Sequence, residues 1–180
     1  MIEFIGALFT LLSAYYTVKE KVICWPLAIA STIIYIYLLY IEKLYGQVFV
    51  DILTLFQCAY GWYYWDKTDN KQPERLKPIK FVRDIFLLVL ISSITIYYIR
   101  TYTNNPQPVS DITSTYLALL ANWYLAKKFI DGFYVWVIAD IILAYMFYYQ
   151  HMYWSMGLFI ILIGFALQGQ FAWQKSLKTD

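Results

Sequence analysis

The chain has 180 residues, of which 61% are apolar, 21% aromatic and 14% charged, and its net charge is +2. Soluble domains run at roughly 45–50% apolar and about 25% charged, so the excess apolar surface must face something other than water and a water-soluble globular domain is excluded. The length suits a single domain, and so small a net charge gives no reason to expect a nucleic-acid partner.

A hydrocarbon core of ~30 Å needs about 20 mostly apolar residues in a helix, and the chain offers seven such segments in turn. The first, 2–18, opens Met-Ile-Glu, and its basic residues Lys19 and Lys21 follow the apolar run instead of preceding it. It therefore reads as a mature helix, not a signal peptide. Spans at 23–42 and 45–65 come next. A polar stretch at 66–80, carrying Pro73 and Pro78, reads as a linker. A span at 82–100 leads to a turn at Asn104-Asn105-Pro106-Gln107-Pro108, then to spans at 111–127, 130–149 and 152–172. These segments are too long and too continuously apolar for the alternating strands of a barrel. The expected fold class is an all-α integral membrane protein.

Two patterns organise the spans. Basic residues crowd alternate connections: Lys19 and Lys21 after span 1, Lys67, Lys71, Arg75, Lys77 and Lys80 between spans 3 and 4, Lys127 and Lys128 after span 5, Lys175 and Lys178 after span 7. The other side holds only Lys43 and Arg100, with Arg83 just inside span 4. The positive-inside rule then places the N-terminus outside and the C-terminus in the cytoplasm. The second pattern is a repeat, for Tyr45, Gly61 and Trp65 recur as Tyr153, Gly169 and Trp173, 108 residues on. An odd middle span gives spans 1–3 and 5–7 the same orientation, so the expectation is two parallel three-helix repeats joined by a central helix (3+1+3). Residues 1–65 form the first repeat, 66–110 the linker, central helix and external loop, and 111–180 the second repeat with a short tail. In membrane proteins a repeat interface commonly holds a substrate pathway.

Little in the chain can do covalent chemistry. His151 is the one histidine, and no phosphate-cradling glycine loop or nucleophile motif occurs. No catalytic residue, metal or cofactor is expected. Cys24 and Cys58 read as small buried hydrophobes. Polar residues at membrane depth are the informative ones, because a charge there is costly. Glu3 and Asp51 lie towards the ends of their spans, and Arg83 and Asp84 open span 4 at the surface. Asp140 falls near the middle of span 6 between Ala139 and Ile141, so it should face the bundle interior or a wet cavity. Trp136 at i−4 and Phe133 at i−7 share its helix face. A carboxylate beside aromatic rings is a receptor for an organic cation; the alternative is that Asp140 pairs with Asn122 or with backbone. Gln57, Tyr60 and Trp62 in span 3, with Asn122 in span 5, complete the candidate substrate-binding set, interhelical hydrogen bonding being their plainer use. Trp25, Trp65 and Trp173 are expected in interfacial belts, and the tyrosine clusters at 15–16, 35–40, 97–98 and 145–149 in belts or in packing, not in the substrate site.

Trp25-Pro26, Leu44-Tyr45, Gln57, Tyr60-Gly61-Trp62 and Trp65, followed by Lys127-Lys128, Trp136 with Asp140, Met152-Tyr153 and Gly169 with Trp173, together resemble the PnuC family of bacterial vitamin transporters over nearly the whole chain. The resemblance implies a multi-pass protein of the bacterial inner membrane, assembled as a homotrimer, that moves vitamin precursors by facilitated diffusion and depends on a cytoplasmic kinase to trap them. Riboside carriers of this family show a WxxW element in the sixth helix; here it is Phe133-Tyr134-Val135-Trp136. Asp131-Gly132 stands where Glu-Asn would be sought, and Asn122 where glutamine is common. These departures favour the thiamine-carrying branch, PnuT, with nicotinamide riboside as the alternative substrate. A membrane vitamin-binding or sensory subunit that never passes its ligand is a further reading, and an integral-membrane enzyme a more distant one.

Overall fold

The computed structural model describes residues 2–41, 43, 45–68, 71–102 and 107–177, with backbone alone at 45 and 46. The expected turn at 104–106, Leu44, the Tyr45 side chain and Lys178 lie outside the described residues. Within them the chain forms seven helices and no strand: α1 (Ile2–Val18), α2 (Cys24–Ile41), α3 (Tyr45–Lys67), α4 (Pro78–Tyr102), α5 (Pro108–Ala126), α6 (Asp131–Tyr149) and α7 (Tyr153–Ser176). Helices α4 and α5 start earlier than their apolar runs because Pro78 and Pro108 take the first helical position, where a missing N–H costs nothing. Taken singly, α2, α6 and α7 are long and apolar enough to cross a membrane. Helices α3, α4 and α5 interrupt their apolar runs with Asp51, with Arg83 and Asp84, and with Asp111. The exposed surface carries many large apolar side chains, Phe4, Phe56, Phe86, Ile138 and Phe171 among them, as suits lipid.

Six helices close a ring. Each packs on its chain neighbour within α1–α3 and within α5–α7, and the two halves join through α3 against α5 and α7 against α1. Those two junctions are equivalent under the 108-residue offset, which maps α3 onto α7 and α1 onto α5. Helix α4 lies outside the ring and docks on α5. Tyr124 donates to Asp84 Oδ2 at 2.9 Å, and Thr95 and Tyr116 pair at 3.1 Å across the same contact.

The repeat extends to individual turns. Helix ends at Val18 and Ala126, at Ile41 and Tyr149, and helix starts at Tyr45 and Tyr153 all keep the offset. Among the described residues four non-glycine residues have left-handed backbones, and they form two offset pairs: Glu20 (φ 55°) with Lys128 (φ 61°), and Lys43 (φ 60°) with His151 (φ 58°). After Glu20, Lys128 and His151 the chain folds back on the last helical turn: Lys21 N–H donates to Tyr16 O at 3.0 Å, Phe129 N–H to Tyr124 O at 2.9 Å, and Met152 N–H to Phe147 O at 2.9 Å.

The centre of the ring is filled at its basic end by four rings. Trp25 meets Trp65 edge-on at 5.4 Å, Phe133 meets Trp173 edge-on at 4.9 Å, and Trp65 lies 5.8 Å from Trp173. Trp25 and Phe133 are themselves offset mates. The interfacial belt expected for Trp25, Trp65 and Trp173 is therefore corrected, since all three are buried and Trp65 and Trp173 fully so. The cause is a glycine one turn before each outer ring's partner. A Cβ at Gly61 would stand 2.6 Å from the Trp25 ring, and one at Gly169 would stand 2.4 Å from Phe133.

That packing makes a matched prediction. Gly61→Ala and Gly169→Ala should each destabilise by about 1–3 kcal/mol, the usual cost of overpacking a full core. Gly157→Ala and Gly164→Ala, where an added Cβ meets nothing within 4 Å, should leave thermal stability unchanged or raised. Melting curves of the four variants in one detergent check this, and equal losses at all four would contradict the packing.

Candidate functional site

Above the aromatic floor the ring encloses a cavity of about 190 Å³. All six ring helices contribute to its wall. Thr10, Ser13 and Thr17 come from α1, Trp25, Ser31 and Thr32 from α2, and Thr54 and Cys58 from α3. Opposite repeat residues are Asn122 and Leu125 from α5, Phe133, Trp136 and Asp140 from α6, and Leu162, Phe165 and Ala166 from α7.

Helix α6 delivers what its spacing implied. Phe133, Trp136 and Asp140 lie on one face and all line the cavity, with Asn122 beside them from α5. Asp140 is 1% exposed, and its Oδ1 has no hydrogen-bond partner. The pairing with Asn122 or backbone that would have made it a structural residue is not formed. A buried charge normally has a partner, so an orphaned carboxylate on a cavity wall identifies the place where a ligand group can supply one.

The other three candidates sit elsewhere. Gln57 donates from Nε2 to Leu119 O at 3.1 Å, tying α3 to α5, and its Oε1 is buried without a partner. Tyr60 stacks on Trp123 at 5.1 Å and on Tyr64 at 5.8 Å, a ladder continued by Lys127 4.1 Å over the Trp123 ring. Trp62 is 46% exposed on the outer, apolar surface. None of the three belongs to the cavity wall.

Sequence reasoning passed over the hydroxyls of the first repeat, although small polar residues inside apolar helices were the signal. Thr32 stands 108 residues before Asp140, so the two are offset mates and both line the cavity. Cys58 was taken as a buried hydrophobe, and it is buried, with Cys24, as a free thiol.

The basic end is tied shut by the linker. Glu74 and the α5–α6 turn exchange backbone bonds, Glu74 N–H to Lys128 O at 2.9 Å and Ile130 N–H to Glu74 O at 3.0 Å. Leu76 N–H donates to Asp131 Oδ2 at 2.7 Å. Lys128, 4% exposed, donates from Nζ to Lys71 O at 2.8 Å and lies 5.3 Å over the Trp65 ring. Burial pushes the carboxyl of Glu20, its offset mate, above the usual carboxylate range, while the Lys128 charge pulls it back. Lys71 is held above the ordinary lysine range chiefly by its hydrogen bond to Tyr64 Oη at 2.9 Å. Among the described residues no group of three acidic, histidine or cysteine side chains is placed to hold a metal ion.

No curated protein matches the sequence. Among solved structures, one described as the vitamin B3 transporter PnuC superposes with a TM-score of 0.80 over 98% of this chain and 82% of its own, at 16% identity. At that identity the likeness shows the fold, and it is the same fold. The sequence model of the nicotinamide mononucleotide transporter family matches residues 1–175. A chain matched over almost its whole length, with a helix ring around a polar, charge-bearing cavity, belongs to this PnuC-type family of membrane transporters and is not an enzyme.

Proposed function

We propose that this protein is a uniporter for thiamine, which binds in the ring cavity as an organic cation and is released on the basic, cytoplasmic side. The observation that carries the reading is Asp140: a buried carboxylate on the cavity wall, without a partner, on the same helix face as Trp136 and Phe133. A cationic aromatic ring meets both demands of such a site. Its charge compensates the carboxylate, and its face stacks on indole at about 0.5–2 kcal/mol, more where water is excluded. The wall residues include no Lys, Arg or His, so a phosphate ester would enter without a counter-charge and against Asp140. The unphosphorylated vitamin is therefore the species carried, and phosphorylation by a cytoplasmic kinase would trap it and give net uptake its direction. The basic residues at one end of the bundle favour an external N-terminus and an internal C-terminus in a bacterial inner membrane, and the family likeness favours a homotrimer.

Nicotinamide riboside is the second reading, favoured by the family description and by the vitamin B3 carrier whose fold is shared. It also presents a cationic aromatic ring, so Asp140 and Trp136 serve it equally. Phe133 in place of a tryptophan is the feature that inclines the choice to thiamine.

Two measurements test this. Calorimetric titration of the purified protein with thiamine and with nicotinamide riboside should give the tighter complex with thiamine; a tighter riboside complex would transfer the function to vitamin B3. Uptake into sealed vesicles should fall at least about tenfold for Asp140→Asn, equivalent to about 1.4 kcal/mol, with the melting temperature held or raised because an unpaired buried charge is removed. Wild-type uptake by that variant would exclude the counter-ion role. Binding without filling of the lumen would make the protein a receptor.

A further inference from the structure

The hydroxyls of the first repeat have a property that their presence alone does not convey. Ser13 donates to Cys24 O at 2.8 Å, Thr17 to Ser13 O at 2.9 Å, Thr32 to Ala28 O at 2.9 Å, and Thr54 to Val50 O at 3.2 Å. Thr10 and Ser31 lie 2.7 Å apart, and each is also within reach of Gly6 O, at 3.1 and 3.0 Å. That pair has two hydroxyl hydrogens and two places to put them: one serves the neighbouring oxygen and the other serves the carbonyl. Every hydroxyl hydrogen in the wall is thus committed to the protein, and what remains on each oxygen is lone pairs.

From this we infer that the first repeat presents the substrate with a hydrogen-bond-accepting wall, and that the cavity selects cations bearing N–H or O–H donors on the part of the molecule away from the charged ring. The inference rests on the reading of the cavity as the site of an organic cation and adds the second half of its recognition. Asp140 is an acceptor as well while ionised. The wall's donors are the Asn122 amide, the indole N–H groups of Trp25 and Trp136 and the weak S–H of Cys58, so acceptors outnumber them. A ligand carbonyl set against the hydroxyl side would have to draw a hydrogen away from a backbone oxygen or remain without a protein donor. Rejection of a ligand for a missing donor is the strong form of discrimination, because it leaves buried polar groups unpaired.

The test uses the full-length protein and two ligands of nearly equal shape: thiamine, and its 4-oxo analogue, in which a carbonyl replaces the exocyclic amine. The amine should bind at least about tenfold tighter, each hydrogen bond being worth about threefold to tenfold. Thr32→Val and Ser13→Ala should weaken thiamine and narrow the ratio between the two ligands, while Thr32→Ser restores it. Loss of packing alone would weaken both ligands in parallel and leave the ratio unchanged. Should nicotinamide riboside be the tighter cation, the same comparison runs between it and its ribose 2′,3′-di-O-methyl analogue, which lacks the hydroxyl donors away from the charged ring. Equal affinity for the amino and oxo forms, or an unchanged ratio in the hydroxyl variants, overturns the accepting wall while leaving the cation site intact. Binding of neither cation overturns the cation site, and the accepting wall with it.

Discussion

The structure depends on the closure of two three-helix halves around an axis, and the closure depends on side chains that are missing. Gly61 and Gly169 each leave a gap on the inner face of α3 and α7, and Trp25 and Phe133 from the preceding helices occupy those gaps. Only then can Trp65 and Trp173 meet on the axis at 5.8 Å, one from each half. Between helices in lipid the hydrophobic effect supplies little drive, so association rests on close packing and on satisfied polar groups. Both are present here. The glycines let rings approach, and Trp65 donates its indole N–H to Leu125 O at 3.2 Å across the α3–α5 junction. The linker then secures the same end through Lys128 and Glu74.

The frame is symmetric but the chemistry inside it is not. Under the repeat offset Thr32 corresponds to Asp140, Ser31 to Ala139, Ala28 to Trp136, Ser13 to Ala121 and Ala14 to Asn122. Where the first half carries a hydroxyl, the second carries an aliphatic side chain or a carboxylate, and where the second carries Asn122 or Trp136, the first carries alanine. On the proposed reading the duplicated scaffold divides the work: the first half would accept hydrogen bonds, and the second would supply the charge and the aromatic face. The proposed substrate need not share the symmetry of its carrier: it is polar along one side and cationic and flat along the other.

How much of this was legible in the sequence follows the physics of each signal. Apolar runs of membrane length and the alternation of basic connections found every helix, with starts moved earlier where Pro78 and Pro108 open helices in polar context and ends moved later where α3 and α7 run on into polar residues to Lys67 and Ser176. The repeat was visible in part because two of its three residues, the glycine and the tryptophan, do structural work that few others can do. Phe133, Trp136 and Asp140 were found together because helical spacing is local. Gln57, Tyr60 and Trp62 were named from their chemistry alone, and which way α3 turns its faces is decided by α2 and α5, outside its own sequence. The three tryptophans expected at the interface have the right depth for a belt; their burial depends on which residue opposes them across the axis. Hydroxyls escaped notice because serine and threonine are common in membrane helices and usually bond to their own backbone. Here the four threonines do so, while Ser13 and Ser31 bond to the backbone of the neighbouring helix.

If the protein is the proposed uniporter, an unpaired carboxylate at its site sets a limit on how the cycle can run. The empty site must hold Asp140 at 1% exposure, at a desolvation cost that a cation removes on binding. The more fully the cation compensates that cost, the harder its release becomes, because a uniporter has no hydrolysis step to expel it. The arrangement reduces this conflict by dividing recognition into parts that are individually modest: one charge, one or two ring faces, and several neutral hydroxyl acceptors already committed to backbone carbonyls. Rotation of one half against the other, which would part Trp65 from Trp173, disturbs all of these at once because they come from opposite repeats. Binding can then be specific while closed and weak once open, which is what passage down a gradient requires.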